Sequence, residues 1–260
     1  AGTVVIVGAG FIALEAAAAL RKRGLQVHIT APDRFPLARI FGEEVGRRLQ
    51  RRHEEQGVIF HLGVTPTRIV GDGRVRAVEL ADGTRIEAQA AVFGVGIRPA
   101  VEYLTGNDLA REGAVPVDAR QRTAAEGIFA AGDIALVPDP FTGELRRIEH
   151  WVEAERQGRQ AAFAMLGKDA PAREAPFFWT RQFGTSLKYV GYAPTWNRLV
   201  FRGDPQGDAF LAGYYAGGRL KAVAGAGLAR EFIHLGQLLE TGRGAAPEQL
   251  ADPSVDLLAL

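Results

Sequence analysis

Thr3-Val4-Val5-Ile6-Val7-Gly8-Ala9-Gly10-Phe11-Ile12-Ala13-Leu14-Glu15 decides the fold. Thr3 to Val7 is a run of β-branched residues, the pattern of a buried parallel strand. Gly8, Gly10 and Ala13 then stand at the spacing G-x-G-x-x-A. From Phe11 the chain turns Ala-rich and helical, ending at Arg21-Lys22-Arg23-Gly24, where Gly24 is a natural helix stop. This is the strand–turn–helix of a dinucleotide-binding unit. Gly8 permits the tight turn, Gly10 lets the backbone approach a pyrophosphate, and Ala13 lets helix and strand pack closely. The free N–H groups around Phe11 and Ile12, with the partial positive charge of the helix N-terminus, face the phosphates. An ordinary tight β–α turn shares these glycines; the second strand, Gln26–Thr30, sets the pattern apart from it.

Composition narrows the function classes. The 260 residues carry 31 Lys plus Arg against 30 Asp plus Glu. That balance argues against a nucleic-acid partner. The chain has no cysteine, which excludes disulfides, cysteine-ligated metals and a dithiol relay within it. No metal site is expected. No apolar run reaches the ~20 residues of a membrane span, and no signal peptide is visible, so the expectation is a cytoplasmic protein. The chain opens on Ala1 with a core strand two residues later, which reads as a trimmed piece of a longer protein.

Outward from the opening unit, Gly42 to Gln56 reads as a charged helix and Val58–His61 as a third strand. Asp-Gly pairs at Asp72-Gly73 and Asp82-Gly83 then separate short strands at Thr67–Val70, Arg74–Leu80 and Thr84–Glu87, an antiparallel meander. Ala90–Phe93 returns to the parallel sheet and ends in Gly94-Val95-Gly96-Ile97-Arg98-Pro99. Beyond it come a short helix near Val101–Leu104, a strand at Val115–Val117, an apolar strand ending in Gly132-Asp133, and an amphipathic helix over Ile148–Leu166. After a linker at Gly167–Pro171, strands at Leu187–Tyr192, Arg198–Arg202, Phe210–Ala216 and Leu220–Ala224 precede a helix from Ala229 to Glu240 and a segment from Pro247. The fold class is α/β in three parts: 1–98, a Rossmann-like unit with parallel sheet and antiparallel meander; 99–167, a second α/β segment; and 168–260, an α+β domain.

In order, the motifs are G-A-G-F-I-A-L-E, G-V-G-I-R-P, I-F-A-A-G-D, E-H-W-x-x-A-x-x-Q-G and F-F-W-T. The set resembles the flavin-dependent NAD(P)H ferredoxin and rubredoxin reductases of the pyridine nucleotide-disulphide oxidoreductase superfamily. It looks closest to the apoptosis-inducing-factor-like branch with a linked Rieske domain. The resemblance implies FAD and NAD(P)H as cofactors and an iron–sulfur electron acceptor: ferredoxin, rubredoxin or a linked Rieske domain. It also implies that 1–98 binds NAD(P), that 99–167 is the second segment of an FAD-binding domain, and that 168–260 is the reductase C-terminal domain, which in this family can pack at a homodimer interface. The family carries a separate Gly-rich turn for FAD in an earlier segment; this chain has one such turn, so loose flavin retention is expected.

The resemblance also implies residue roles. Gly8, Gly10 and Ala13 match the pyrophosphate turn. Glu15 matches the acidic residue held near the nicotinamide, and its place in the first helical turn suits the helix dipole; a solvated helix-start glutamate is the plainer reading. Gly94 and Gly96 match small residues beside the nicotinamide riboside. Gly132 and Asp133 match the pair near the FAD ribityl or phosphate region. Glu149, His150 and Trp151 open a helix whose N-terminus would face the flavin, through backbone N–H groups. Trp179 matches an aromatic beside the isoalloxazine, or is a tryptophan buried at a domain seam.

One departure bears on the electron donor. NADH users of the family carry a glutamate at the end of the second strand, to bind the adenosine ribose. Here that position is Ala31, followed by Asp33, Arg34 and Arg39. Arg34 suits a 2′-phosphate, which tilts the reading toward NADPH or relaxed choice; Asp33 binding the ribose is the alternative. Three other functions stay open: a flavin-free NAD(P)-binding fragment without catalysis; an interaction protein binding nucleic acid, which the balanced charge weakens; and another flavin enzyme on this scaffold, such as an NADH oxidase or nitrite-reductase component.

Overall fold

The computed structural model describes residues 2–139, 144–171 and 174–260. The first unit is a four-stranded parallel sheet with β1 (Thr3–Val7) inside, between β2 (Gln26–Ala31) and β7 (Ala90–Phe93), and β3 (Val58–Leu62) at the edge beyond β2. Val5 and Ile6 are fully buried, as a strand covered on both faces requires. Helix α1 (Phe11–Lys22) buries Ala13, Leu14, Ala17 and Ala18 on one face. It ends as Gly24 predicts. The Gly24 N–H donates to Arg21 O (2.9 Å) and that of Leu25 to Leu20 O (3.2 Å), with Gly24 at φ +80°. These are the two bonds of a Schellman stop.

The helix expected over Gly42–Gln56 forms as α3 (Glu43–Glu54), and a short helix not expected from the sequence, α2 (Ala38–Phe41), precedes it across Gly42. Gly42 has φ +85°, and a Cβ there would lie 2.9 Å from Leu199 Cδ2 in the C-terminal domain. Close packing between domains therefore leaves no room for a side chain at the junction of the two helices. β4 (Pro66–Gly71), β5 (Val75–Leu80) and β6 (Arg85–Glu87) form the antiparallel meander, with Val78, Leu80 and Ile86 packed against Val5.

The middle segment holds a small sheet of β8 (Val115–Pro116), β9 (Ala135–Pro138) and β10 (Leu145–Arg146). The strand expected to end in Gly132-Asp133 does not form. Phe129 makes a single bridge to Arg122, and the ladder begins at Ala135. Among the described residues, no second strand flanks 128–133 to continue that bridge. Helix α4 (Trp151–Met165) starts three residues later than expected. His150 is extended (φ −148°) and caps the helix, its Nδ1 accepting from the Val152 N–H at 3.3 Å.

The C-terminal domain is a five-stranded antiparallel sheet, ordered β11 (Phe177–Gln182), β12 (Thr185–Gly191), β15 (Arg219–Ala226), β14 (Phe210–Ala216), β13 (Arg198–Gly203), with α5 (Ala229–Glu240) and α6 (Pro247–Ala251). The Gly217-Gly218 hairpin forms with both residues at positive φ, as its turn type needs. β11 escapes sequence reading, where F-F-W-T registers only as a motif. Its buried residues are polar, Thr180 and Gln182, on the same face as Phe178, which packs into the core.

One hydrophobic core runs from the first unit into the last. Leu14, Phe41, Val45 and Leu49 share a cluster with Tyr189, Phe210, Tyr214 and Ala224. Each fully buried large side chain there contributes about 1.5–3 kcal/mol. Tyr214 Oη donates to Phe41 O at 2.9 Å. Around this core α3 grips the loop between β13 and β14. The buried Arg48 donates to Gly207 O with its guanidinium 5.3 Å over Phe210, and Arg51 reaches Gln206 O at 2.5 Å.

Candidate functional site

The glycine turn is built by two strand ends. Gly8 has φ +107°, and a Cβ on it would collide with Gly94 O. The Gly8 N–H donates to Thr30 O and that of Gly94 to Val7 O, both at 2.8 Å. Gly94 lies against Ala13, 3.4 Å from a notional Cβ to Ala13 Cβ. Ala13 is thus small because the β7 exit passes over it. Gly10 differs. Its φ is an ordinary −83°, it caps α1 without a side-chain hydrogen bond, and a Cβ there would meet nothing within 4 Å. The first helical bond is Leu14 N–H to Gly10 O at 3.0 Å, so the N–H groups of Phe11, Ile12 and Ala13 head the helix without an intrahelical acceptor. Open space beside a glycine at a helix N-terminus suits a pyrophosphate. Phe11 contributes its backbone there; its ring packs edge-on against Phe41 and Phe178, at 5.8 and 5.2 Å. Ile12 is exposed.

Glu15 is the fifth residue of α1, not in its first turn. The helix dipole, expected to favour it there, does not hold it, since that field falls off within one turn. Something else holds it: Thr180 Oγ1 donates to Glu15 Oε1 at 2.6 Å, and Gln182 Nε2 donates to Thr180 Oγ1 at 2.9 Å. His150 is a neighbour. Burial holds its imidazole below the ordinary pKa, while the carboxylates of Asp133 and Glu15 pull the other way. Its Nδ1 accepts from Val152, so the neutral ring carries its proton on Nε2. This cap also occupies one of the N–H groups that the sequence reading left free at the α4 N-terminus.

Asp133 sits half-buried in a turn. It is delivered by Gly132, at φ +82°, whose N–H donates to Gln157 Oε1 on α4 at 2.8 Å and whose missing Cβ leaves 3.4 Å to Ala154. Trp151 and Trp179 meet edge-to-face at 5.6 Å, and His150 stands 6.3 Å from Trp179. Both tryptophans stay exposed, at 59% and 40%, so Trp179 is not a buried seam residue. Glu149 is paired with Arg147 at 2.6 Å. Gly96, at φ +105°, lies between the exposed Val95 and Ile97 with open space around it.

Ala31 closes β2 and is buried. Asp33 pairs with Arg39 Nε at 3.0 Å, and Arg34 lies 3.8 Å from Glu43. A cavity of about 610 Å³ lined by Arg146, Tyr192, Lys221 and Arg243 contains none of these residues; the candidate site is an open face, not that cavity. Sequence reasoning gave no role to Thr180, Gln182 and Gln157, which act through tertiary contacts; Gln157 stands in the E-H-W-x-x-A-x-x-Q-G run. Thr180 stood in the F-F-W-T run, but only its register on β11 turns it toward α1.

The family model described as pyridine nucleotide-disulphide oxidoreductase matches residues 2–158. The chain belongs to the pyridine nucleotide-disulphide oxidoreductase family. A second model, reductase C-terminal, matches residues 177–260 of this family member. It is 36% identical over 255 residues to the anthranilate 1,2-dioxygenase system ferredoxin–NAD(+) reductase component of Burkholderia cepacia, covering 98% of this chain and 63% of that protein. It is 33% identical over 244 residues to human apoptosis-inducing factor 3, covering 92% and 40%. Among solved structures it resembles the ferredoxin reductase for the CYP199A2 system from Rhodopseudomonas palustris, with TM-score 0.92, 33% identity and coverage of 98% and 64%. The chain therefore spans less than two thirds of the length of these relatives. Among the described residues, no helix is long and apolar enough to cross a membrane.

Proposed function

We propose that the chain forms the nucleotide-binding and flavin-facing part of an NAD(P)H-dependent, FAD-containing oxidoreductase of the ferredoxin-reductase type. The parent protein would move electrons from NAD(P)H to an iron–sulfur protein: ferredoxin, rubredoxin or a linked Rieske domain. The observation that carries this reading is convergence. His150 at the head of α4 feels the charges of both Glu15 of the glycine-turn helix and Asp133, and it stands 6.3 Å from Trp179 of the exposed Trp151–Trp179 pair.

The residues fit both cofactors, to different extents. Gly8, Gly10 and the N–H groups of Phe11 to Ala13 would seat the pyrophosphate, a reading supported by the open space beside Gly10 at the head of α1. Gly94 and Gly96 keep the adjoining floor free of side chains. For FAD, the chain supplies Asp133, the α4 N-terminus and the two tryptophans, with no second Gly-rich turn in its sequence; this suits the isoalloxazine and ribityl portion. Bound flavin supplies hydride acceptance and one-electron donation, chemistry no side chain here provides. The chain's own residues bind, orient and shield. Thr180 fixes Glu15 as a hydrogen-bond acceptor beside the nucleotide seat. The α4 N-terminus presents partial positive charge. Trp151 and Trp179 offer apolar faces against which a flat ring excludes water.

A cytoplasmic setting belongs to the same proposal, as a compartment where NAD(P)H and small iron–sulfur proteins are both available. A flavin-free nucleotide-binding module is the second reading, favoured by the single Gly-rich turn. The visible spectrum of the purified chain after FAD addition and desalting decides between them. A retained flavin band that bleaches anaerobically with NADH or NADPH supports the reductase reading. Nucleotide binding without flavin retention supports the second.

A further inference from the structure

The tip of β2 is where a Rossmann-type unit reads the adenosine ribose. A carboxylate about 20 residues beyond the glycine turn accepts hydrogen bonds from the 2′-OH, whereas a nearby arginine accommodates a 2′-phosphate. In this structure the tip offers no acidic side chain. Ala31 is buried, and its carbonyl accepts from the Val64 N–H at 3.2 Å. The neighbouring hydroxyl of Thr30 is turned away, donating to Val64 O at 2.8 Å.

The first carboxylate after the tip, Asp33, is engaged by Arg39. Its Oδ1 lies 3.0 Å from Arg39 Nε, and the Arg39 side chain is 85% exposed. The Asp33 carbonyl is used as well, accepting from the Gly63 N–H at 3.2 Å. An acid paired this way loses much of its repulsion toward a phosphate and orients the arginine that would bind one. Arg34 adds a second cation. Its side chain is 77% exposed and its guanidinium lies 5.4 Å over the Phe35 ring. Its partner Glu43 is 3.8 Å away and more than half exposed, a loose pair that a doubly charged phosphate displaces at little cost. Arg47 flanks the same ring at 4.9 Å. The local arrangement is Arg39 paired with Asp33, next to Arg34 and Arg47 over the Phe35 ring.

We propose that Arg34 and Arg39 form a seat for the 2′-phosphate of the adenosine ribose, so that this chain takes NADPH in preference to NADH; the inference rests on the nucleotide-site reading above. Asp33 then positions Arg39 rather than binding a 2′-OH. Arginine suits the task because its planar donor edge matches a phosphate bidentately.

The test needs neither flavin nor turnover. The chain is titrated calorimetrically with ADP-ribose and with ADP-ribose 2′-phosphate, which share the pyrophosphate and differ in the group at issue. The phosphorylated ligand is expected to bind at least about tenfold tighter, an advantage that shrinks as salt rises. Arg34→Ala and Arg39→Ala are each expected to remove most of that advantage while leaving ADP-ribose within about twofold. Both side chains are largely exposed, and circular dichroism confirms that the variants fold. Equal binding of the two ligands, or equal loss of both in the arginine variants, overturns the 2′-phosphate seat and leaves the nucleotide site standing. A loss of ADP-ribose binding in Asp33→Asn makes Asp33 a ribose ligand and also overturns it. If neither ligand binds, the nucleotide-site reading itself falls.

Discussion

Thr180 Oγ1 donates to Glu15 Oε1 across 2.6 Å, joining β11 of the C-terminal domain to α1 of the nucleotide-binding unit over a separation of 165 residues. Thr180 is buried, and Gln182 supports it from two residues along the strand. A hydrogen bond to a charged acceptor contributes about 1.5–3 kcal/mol. Thr180→Val, which keeps shape and removes the donor, should therefore lower unfolding stability by about 1–3 kcal/mol, while Thr180→Ser should stay near wild type. Urea denaturation of the two variants checks this; equal stabilities would mean the bond carries no weight.

The two glycines of the turn should respond oppositely to a methyl group. Gly8→Ala forces a side chain at φ +107° into Gly94 O, and should cost folding stability by about 2 kcal/mol or more. Gly10→Ala meets no protein atom at an ordinary φ. It should fold as wild type yet weaken ADP-ribose binding at least about tenfold, because the methyl occupies the space for the pyrophosphate. Melting temperature and ligand titration on the same pair separate the effects. Normal affinity in Gly10→Ala would move the pyrophosphate elsewhere.

The shared core predicts cooperative unfolding across the domains. Phe41→Ala, at a fully buried position packed on Tyr189 and Phe178, should cost about 3–5 kcal/mol. Tyr214→Phe, which leaves Phe41 O without its donor, should cost about 1–3 kcal/mol. In both variants, signals from the N-terminal sheet and the C-terminal sheet should move together in denaturant. Two separated transitions would show that the cluster does not couple them.

Stability should fall on mild acidification. His28, His53, His61 and His150 all sit below the ordinary 6.5, burial being the largest cause in each. The fold thus favours their neutral forms, and the unfolded chain binds more protons. Their contribution is present above pH 6.5 and is lost as pH falls from 6.5 toward the depressed native values. The carboxylate Asp118 titrates below 3.8 and stays outside this window. Unfolding free energies measured at about pH 7.5 and about pH 5 should show the decrease. His61→Gln should make it shallower, since His28 Nδ1 and His61 Nε2 lie 3.0 Å apart and repel when both are charged. A pH-independent stability would contradict the burial of these rings.

Legibility in the sequence followed the range of the interactions. The opening strand, the α1 start, the Gly24 stop, the two meander turns and the Gly217-Gly218 hairpin were readable because each rests on neighbouring residues and on allowed φ. Helix α4 was readable as a helix but not at its start, where the His150 side chain decides. The strand expected before Gly132-Asp133 had the apolar composition but no ladder to join. Glu15 was found for its position in the motif, and the reason first attached to it was a helix dipole that its place in α1 does not feel.

The sequence by itself determined the βα nucleotide turn, the parallel sheet with its meander, and the residue types gathered at each strand end. Periodicity, turn chemistry and backbone sterics act over a few residues and are written in order along the chain. Only the tertiary structure decided that Thr180 holds Glu15, that His150 feels the charges of Asp133 and Glu15, and that Arg39 pairs with Asp33. Those relationships depend on which faces of separate elements pack together. The packing is set by the burial of Leu14, Phe41, Phe210 and Tyr214 in one core, an energy that belongs to the assembled domains and to no segment alone.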